Sequence, residues 1–99
     1  MTDPQRQDDN QEEKNALKQA GARIRELREA VGLNQDVFAD EIKTHRSYVG
    51  LLENGHRDVR LTTVYRIAAT YGLQVYELLD PNFELKADAL KAYREVSAK

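Results

Sequence analysis

Between Gly32 and Gly55 (GLNQDVFADEIKTHRSYVGLLENG) the apolar positions keep helical spacing, break once, and resume. Phe38, Ala39 and Ile42 recur on one side of a helix over Gln35 to Ile42, while Asp36, Asp40 and Glu41 fall on the opposite side. Asn34 precedes this run as an N-cap whose side-chain oxygen can accept an orphan backbone N–H, and Asp36 lies in the first turn, where the helix dipole favours an anion. After Lys43-Thr44 the period restarts at Val49 and Leu52 and stops at Gly55, which predicts a second helix over roughly His45 to Asn54. Two short helices joined by a tight turn organise the chain, and the remaining segments read as their support or as surface for partners.

Upstream, Leu17, Ala20, Ile24, Leu27 and Val31 keep a three-to-four spacing that predicts a helix over Ala16 to Val31, ended by Gly32. Residues 1–15 are polar, contain a proline and lack an apolar period, so they are expected to be a disordered acidic tail. Downstream, Leu61, Val64, Ile67, Ala68 and Tyr71 predict a fourth helix ending at Gly72, with Thr62 or Thr63 as its cap. Val75 to Leu79 makes a short fifth helix, with Val75, Leu78 and Leu79 in the core, closed by Asp80-Pro81. From Phe83 on, Leu85, Ala89, Ala92 or Tyr93, and Val96 form a stripe for a sixth helix. That stripe either packs on its own core or meets a second copy, with Phe83, Leu85, Leu90 and Tyr93 the dimerisation candidates. Ninety-nine residues at 40% apolar content make one domain, divided as a tail (1–15), a central unit (16–80) and a C-terminal extension (81–99).

The outer side of the second short helix carries Arg46, Ser47 and Leu51, with His45 and Tyr48 beside them and no acid among the five. A guanidinium fork, a hydroxyl and an apolar tip suit base edges in a DNA major groove, with Arg46 as the principal reader. The formal net charge of −2 argues against nucleic acid until it is mapped. Residues 1–15 hold Arg6 and Lys14 against Asp3, Asp8, Asp9, Glu12 and Glu13, a net −3; residues 43–66 hold Lys43, Arg46, Arg57, Arg60 and Arg66 against Glu53 and Asp58, a net +3. The candidate face is basic and the acid lies elsewhere. Deleting residues 1–12 is expected to tighten non-specific DNA binding at low salt. Arg57 and Arg60, in the loop after Gly55, suit phosphate oxygens.

GLNQ, FA, HRSYVGLLENG and LTTVYRIAATYGLQVYELL, in this order, make residues 16–79 resemble the lambda-repressor-like helix-turn-helix domain of the Cro or XRE family. The resemblance implies an all-α, five-helix domain, here followed by the sixth helix, whose third helix enters the major groove and which works as a symmetric dimer. It further implies that Arg46, Ser47 and Leu51 contact bases, and that Asn34, Gln35 and Asn54 contact phosphate; Lys43, His45, Tyr48, Arg57 and Arg60 complete the phosphate-contacting set. The family also carries an ion pair at the positions of Arg28 and Glu53. Two positions depart from its pattern. Lys43 stands where the turn commonly has glycine, at a strain of about 1 kcal/mol if φ is positive. Gly50 stands inside the recognition helix, where alanine would be better by roughly 0.5 to 1 kcal/mol. More narrowly, the short length and the HRSYVG…ENGHRDVRL run are similar to restriction-modification controller proteins.

Other classes find little support. The sequence has no cysteine, which excludes disulfides and thiolate metal sites, and no apolar run of membrane-spanning length or signal-peptide pattern, so a cytoplasmic protein without membrane contact is expected. His45 and His56 have no matching ligand cluster, and no phosphate-binding glycine loop is present, so neither enzyme, metal nor cofactor is expected. The expected function is sequence-specific regulation of transcription by a homodimer on double-stranded DNA. The alternatives are an interaction module or an antitoxin-type regulator built on the same helices. No separate effector domain fits in 99 residues, so small-molecule control would have to act at the dimer interface.

Overall fold

The computed structural model describes the backbone of residues 4–97 and the side chains of residues 10–97. Six helices and no strands occur among them: α1 (Pro4–Val31), α2 (Gln35–Glu41), α3 (Arg46–Glu53), α4 (Leu61–Thr70), α5 (Val75–Leu79) and α6 (Ala87–Ser97). The all-α expectation holds, and α2, α3 and α5 start and stop within a residue of where their patterns place them. None of the described helices is long and apolar enough to cross a membrane.

The N-terminal boundary differs. The helix expected to begin at Ala16 begins at Pro4, so residues 4–15 are helical where disorder was expected, and residues 1–3 lie outside the described residues. Proline is well placed in the first turn of a helix, and the Gln, Arg, Glu and Lys that follow are good helix formers that propagate a helix once α1 is nucleated on the core. Apolar periodicity reports burial and is silent about a polar extension of this kind.

One core collects Ile24, Leu27 and Val31 of α1, Phe38 of α2, Val49 and Leu52 of α3, Val64, Ile67 and Ala68 of α4, Tyr71, Leu78 of α5 and Leu90 of α6. The rings of Phe38 and Tyr71 stack at its centre, 6.1 Å apart. α1 lies against the C-terminal end of α3 so closely that a Cβ on Gly21 would fall 2.8 Å from the Glu53 carbonyl oxygen and nearer still to that of Leu52. Arg23, only 5% exposed, ties α1 to the end of α5: its Nε donates to the Leu78 carbonyl at 2.7 Å, and Nη2 donates to those of Glu77 and Phe83 at 2.9 and 3.0 Å. These carbonyls lie past the reach of the helix ladder, and the guanidinium satisfies them.

The C-terminal segment corrects two expectations. The sixth helix starts at Ala87, not near Phe83, and it turns Leu90 into the core while Ala89 and Val96 face outward. Leu90 and the half-buried Leu85 thus pack on the core of their own chain, one of the two arrangements expected for the stripe. Tyr93 lays its ring over Gly72, where a Cβ would sit 2.7 Å from the ring and φ is +72°. Arg94 donates to Glu41 of α2 at 2.7 Å, and the same carboxylate accepts the Tyr71 hydroxyl at 2.8 Å. Leu79, expected in the core, is exposed, as is Leu61 of the period that predicted α4, and Thr62 and Thr63 lie inside α4, whose N-cap is Arg60.

Candidate nucleic-acid interface

The corner between α2 and α3 is built from strain and its compensation. Asn34 caps α2, its Oδ1 accepting from Val37 N at 2.9 Å, and Ile42 closes it. Lys43 then adopts φ +58°, the left-handed conformation that a glycine would take without strain. Thr44 N returns to the Ala39 carbonyl at 2.9 Å, and Nη1 of Arg66, reaching across from α4, donates to the carbonyls of Ile42 and Lys43 at 3.1 and 3.4 Å.

α3 leaves this corner with one face committed to the core. Val49 and Leu52 are fully buried, and Glu53 is held by Arg28. The opposite face looks outward: Arg46 and Ser47 are exposed and Leu51 is half-buried. Among the described residues Arg46 pairs with Asp36 alone, at 3.3 Å, with 67% of each side chain exposed. An ion pair in that setting contributes at most about 1 kcal/mol and is readily exchanged for a ligand.

Ser47 and Leu51 open onto a concavity whose walls are the corner, the outer face of α3, the loop after it and the start of α4. Lys43, Thr44, His45, Tyr48, Arg57, Arg60, Thr62, Thr63 and Arg66 line it as well, and no carboxylate among the described residues does. The pairing of the arginines sharpens this. Of the eight arginines with described side chains, Arg23, Arg25, Arg28, Arg46 and Arg94 each have a carboxylate partner. Arg57, Arg60 and Arg66 have none among the described residues, and all three line this one concavity. Uncompensated cations gathered on a wall without acids leave the opposite charge to be supplied by a ligand.

The structure thus brings together Lys43, His45, Ser47, Tyr48, Leu51, Arg57 and Arg60 of the sequence-predicted set, with Arg46 on the adjoining ridge of α3. Tyr48 is fixed by its hydroxyl, which donates to the Asp58 carbonyl at 3.2 Å. Asn34, Gln35 and Asn54 lie outside the concavity. The Asn34 oxygen is engaged as the cap, Nδ2 of Asn54 donates to the Gly50 carbonyl at 2.9 Å, and Nε2 of Gln35 turns inward to Glu53 Oε1 at 3.2 Å. Thr44, Thr62, Thr63 and Arg66 were missed as site residues. Helical spacing alone puts Thr62 and Arg66 on one face of α4, next to the loop arginines, and was the available signal. Among the described residues there is no group of three or more His, Cys, Asp or Glu able to hold a metal ion.

Residues 24–78 match the family model described as helix-turn-helix. The chain belongs to the helix-turn-helix family. Its type is that of the Cro and XRE proteins, which are DNA-binding transcription regulators. The helix-turn-helix region is 42% identical over 59 residues to a propionyl-CoA carboxylase regulator of Cereibacter sphaeroides, a match that takes in 60% of this chain but only 13% of that protein. It is 37% identical over 59 residues to control protein C.MunI of a Mycoplasma species, covering 59% of this chain and 80% of the relative. The crystal structure of the restriction-modification controller protein C.AhdI of Aeromonas hydrophila superposes with a TM-score of 0.59 at 40% identity, over 63% of this chain and 94% of that one. Helix-turn-helix relatives of very different length therefore share the central unit, and the relatives matched along most of their length are control proteins.

Proposed function

We propose that the protein is a sequence-specific, duplex-DNA-binding regulator of transcription that acts in the cytoplasm as a homodimer on a pseudo-palindromic operator. The observation that carries this reading is the acid-free concavity in which the three arginines without carboxylate partners meet the exposed ridge of α3. In it, residues 16–80 form the DNA-binding unit and residues 81–99 an extension that braces it. Arg46 reads a guanine edge, Ser47 donates to or accepts from a base edge and Leu51 meets a thymine methyl group, while Lys43, His45, Tyr48, Arg57 and Arg60 hold phosphates. Asn34 and Asn54 keep amide donors at the margins of the same face. Gln35 supports the Arg28–Glu53 pair with one Nε2 hydrogen and keeps the other for a phosphate.

A dimer requires a second surface beside the first. Thr62 and Arg66 share one face of α4, and Leu61 and Tyr65 share the neighbouring one. Leu61, Tyr65, Tyr76 and Leu79 are 67%, 59%, 70% and 39% exposed, an apolar strip across α4 and α5 that suits a second copy better than the buried Leu90 and Leu85. The reading requires that two-fold pairing there set the two α3 helices about 34 Å apart, one turn of duplex.

Selection from a random duplex pool with the purified protein tests the reading. Enrichment of two inverted half-sites one turn apart, bound less tightly as salt rises, is the expected result. A pool that never enriches a motif would remove it.

A further inference from the structure

We propose that Arg66 of α4 is a phosphodiester-binding residue that couples grip on the DNA backbone to the geometry of the α2–α3 corner. The inference rests on the reading of the protein as a duplex-binding regulator and extends it to a helix other than the recognition helix.

The first observation is how the guanidinium is divided. Arg66 places Nη1 on the carbonyls of Ile42 and Lys43. A guanidinium carries five N–H donors in one rigid plane, and Nη1 accounts for two of them. Among the described residues no acceptor takes Nε or Nη2, and Arg66 lines the concavity beside Thr62 and Thr63 of its own helix. The two carbonyls are neutral and leave the unit charge of Arg66 in place. With Lys43, Arg57 and Arg60 on the same walls and no carboxylate there, an anion offering two adjacent oxygens matches the remaining donors, as a phosphodiester does.

The second observation is what Nη1 holds. The carbonyls of Ile42 and Lys43 lie on either side of Lys43, the one residue among those described that has positive φ without being glycine, and this residue sets the angle at which α3 leaves α2. A side chain that meets phosphate with one edge and this corner with the other makes the two events depend on each other. Engaging the backbone then steadies α3 for reading bases, and losing the contact weakens discrimination as well as affinity.

The test compares wild type, Arg66→Met and Arg66→Lys on a duplex carrying the selected motif and on an unrelated duplex, each titrated across salt concentration. Arg66→Met is expected to reduce the slope of log K against log salt by about 1, the signature of one lost phosphate contact. It should also lower affinity for the motif by a larger factor than affinity for the unrelated duplex. Arg66→Lys keeps the charge but not the fork, so it should keep the slope and still lose motif preference. An Arg66→Met protein with the wild-type slope overturns the proposal, and a lowered melting temperature alongside that unchanged slope makes Arg66 a structural residue only. Should Arg66→Met fail to fold, phenylglyoxal labelling of the wild type decides the matter. Duplex should shield Arg66 while Arg25, on the exposed surface of α1, stays reactive; equal labelling of Arg66 with and without duplex overturns the proposal. Wild type without salt-dependent duplex binding is a separate result, because it removes the DNA-binding reading and the role of Arg66 with it.

Discussion

The carboxylate of Glu53 lies in the fork of Arg28, with Nε 2.7 Å from Oε2 and Nη2 3.0 Å from Oε1, and the two side chains are only 3% and 12% exposed. Gln35 adds a third bond to Glu53, and the remaining arm of Arg28 donates to the Leu33 carbonyl at 2.9 Å. The bond to Glu53 holds the Arg28 guanidinium above its usual range despite the cost of burial. Replacing either residue by alanine strands a buried charge, so each single variant should lose about 3 to 5 kcal/mol, and the double variant less than the sum of the two. Urea unfolding of the four proteins measures this, and unchanged midpoints would show that the pair contributes nothing to the fold.

Arg46 is free to leave Asp36 for a base. Arg46→Ala should therefore cost about 1 to 3 kcal/mol at one position of each half-site and flatten preference there, with little effect on unrelated duplex. Repeating the pool selection with the variant reads this directly. A uniform loss over all sequences would reassign Arg46 to phosphate.

Two helical glycines should respond in opposite directions. A Cβ at Gly50 meets nothing closer than the Gln35 side-chain oxygen at 3.9 Å, so Gly50→Ala is expected to stabilise the free protein by roughly 0.5 to 1 kcal/mol through helix propensity. At Gly21 the Cβ would run into backbone carbonyls of α3, which cannot move aside as a side-chain tip can. Gly21→Ala should cost about 1 to 3 kcal/mol, seen in thermal unfolding. If Gly50→Ala stabilises yet weakens DNA binding, close approach of duplex to that turn of α3 is the reason for the glycine.

Burial, and after it the Glu41 carboxylate to which it donates, push the Tyr71 hydroxyl far above the ordinary phenol range. Folding thus favours its protonated form. The stability this provides is complete below the unfolded value near 10 and is lost as pH rises beyond it. Wild type should lose stability between pH 9 and 11 more steeply than Tyr71→Phe. Parallel curves for the two proteins would exclude Tyr71 as the source of alkaline sensitivity.

If the strip across α4 and α5 is the dimer surface, replacing Tyr65 and Tyr76 by serine should weaken association by about 1 kcal/mol or more per site. The monomer fold should survive, since both side chains are largely exposed. Sedimentation velocity separates this from Leu90→Asp, which should unfold the chain rather than divide it. Dimers unaffected by the tyrosine changes would place the interface elsewhere.

The pattern around α2 and α3 was readable because an amphipathic helix repeats its apolar residues within one or two turns, and Phe38, Ala39 and Ile42, then Val49 and Leu52 after the break at Lys43-Thr44, do so. Tyr93 illustrates the limit of that reading. As one member of an apolar stripe it looked equivalent to Ala89 and Val96, yet its ring lies on Gly72 while Val96 is 74% exposed. A stripe says that a helix has two sides and leaves open what covers either of them. Likewise, the helical arm before Ala16 buries no apolar period of its own, so no periodicity announced it.

What the sequence determined by itself was therefore local: the number of helices downstream of Gly32, the corner at Lys43, and a third helix whose outer face lacks acid, since spacing, capping and charge are properties of neighbours in the chain. Only the tertiary structure decided which cations are neutralised and which are left open. Arg28 and Arg94 find their carboxylates 25 and 53 residues away, Arg66 reaches a carbonyl 24 residues away, and Arg23, besides its neighbour Glu26, reaches carbonyls 54 to 60 residues away. Whether an arginine meets a carboxylate, a helix-end carbonyl or an open wall depends on how α1, α4 and α6 pack, and that packing is settled by the shape of the shared core.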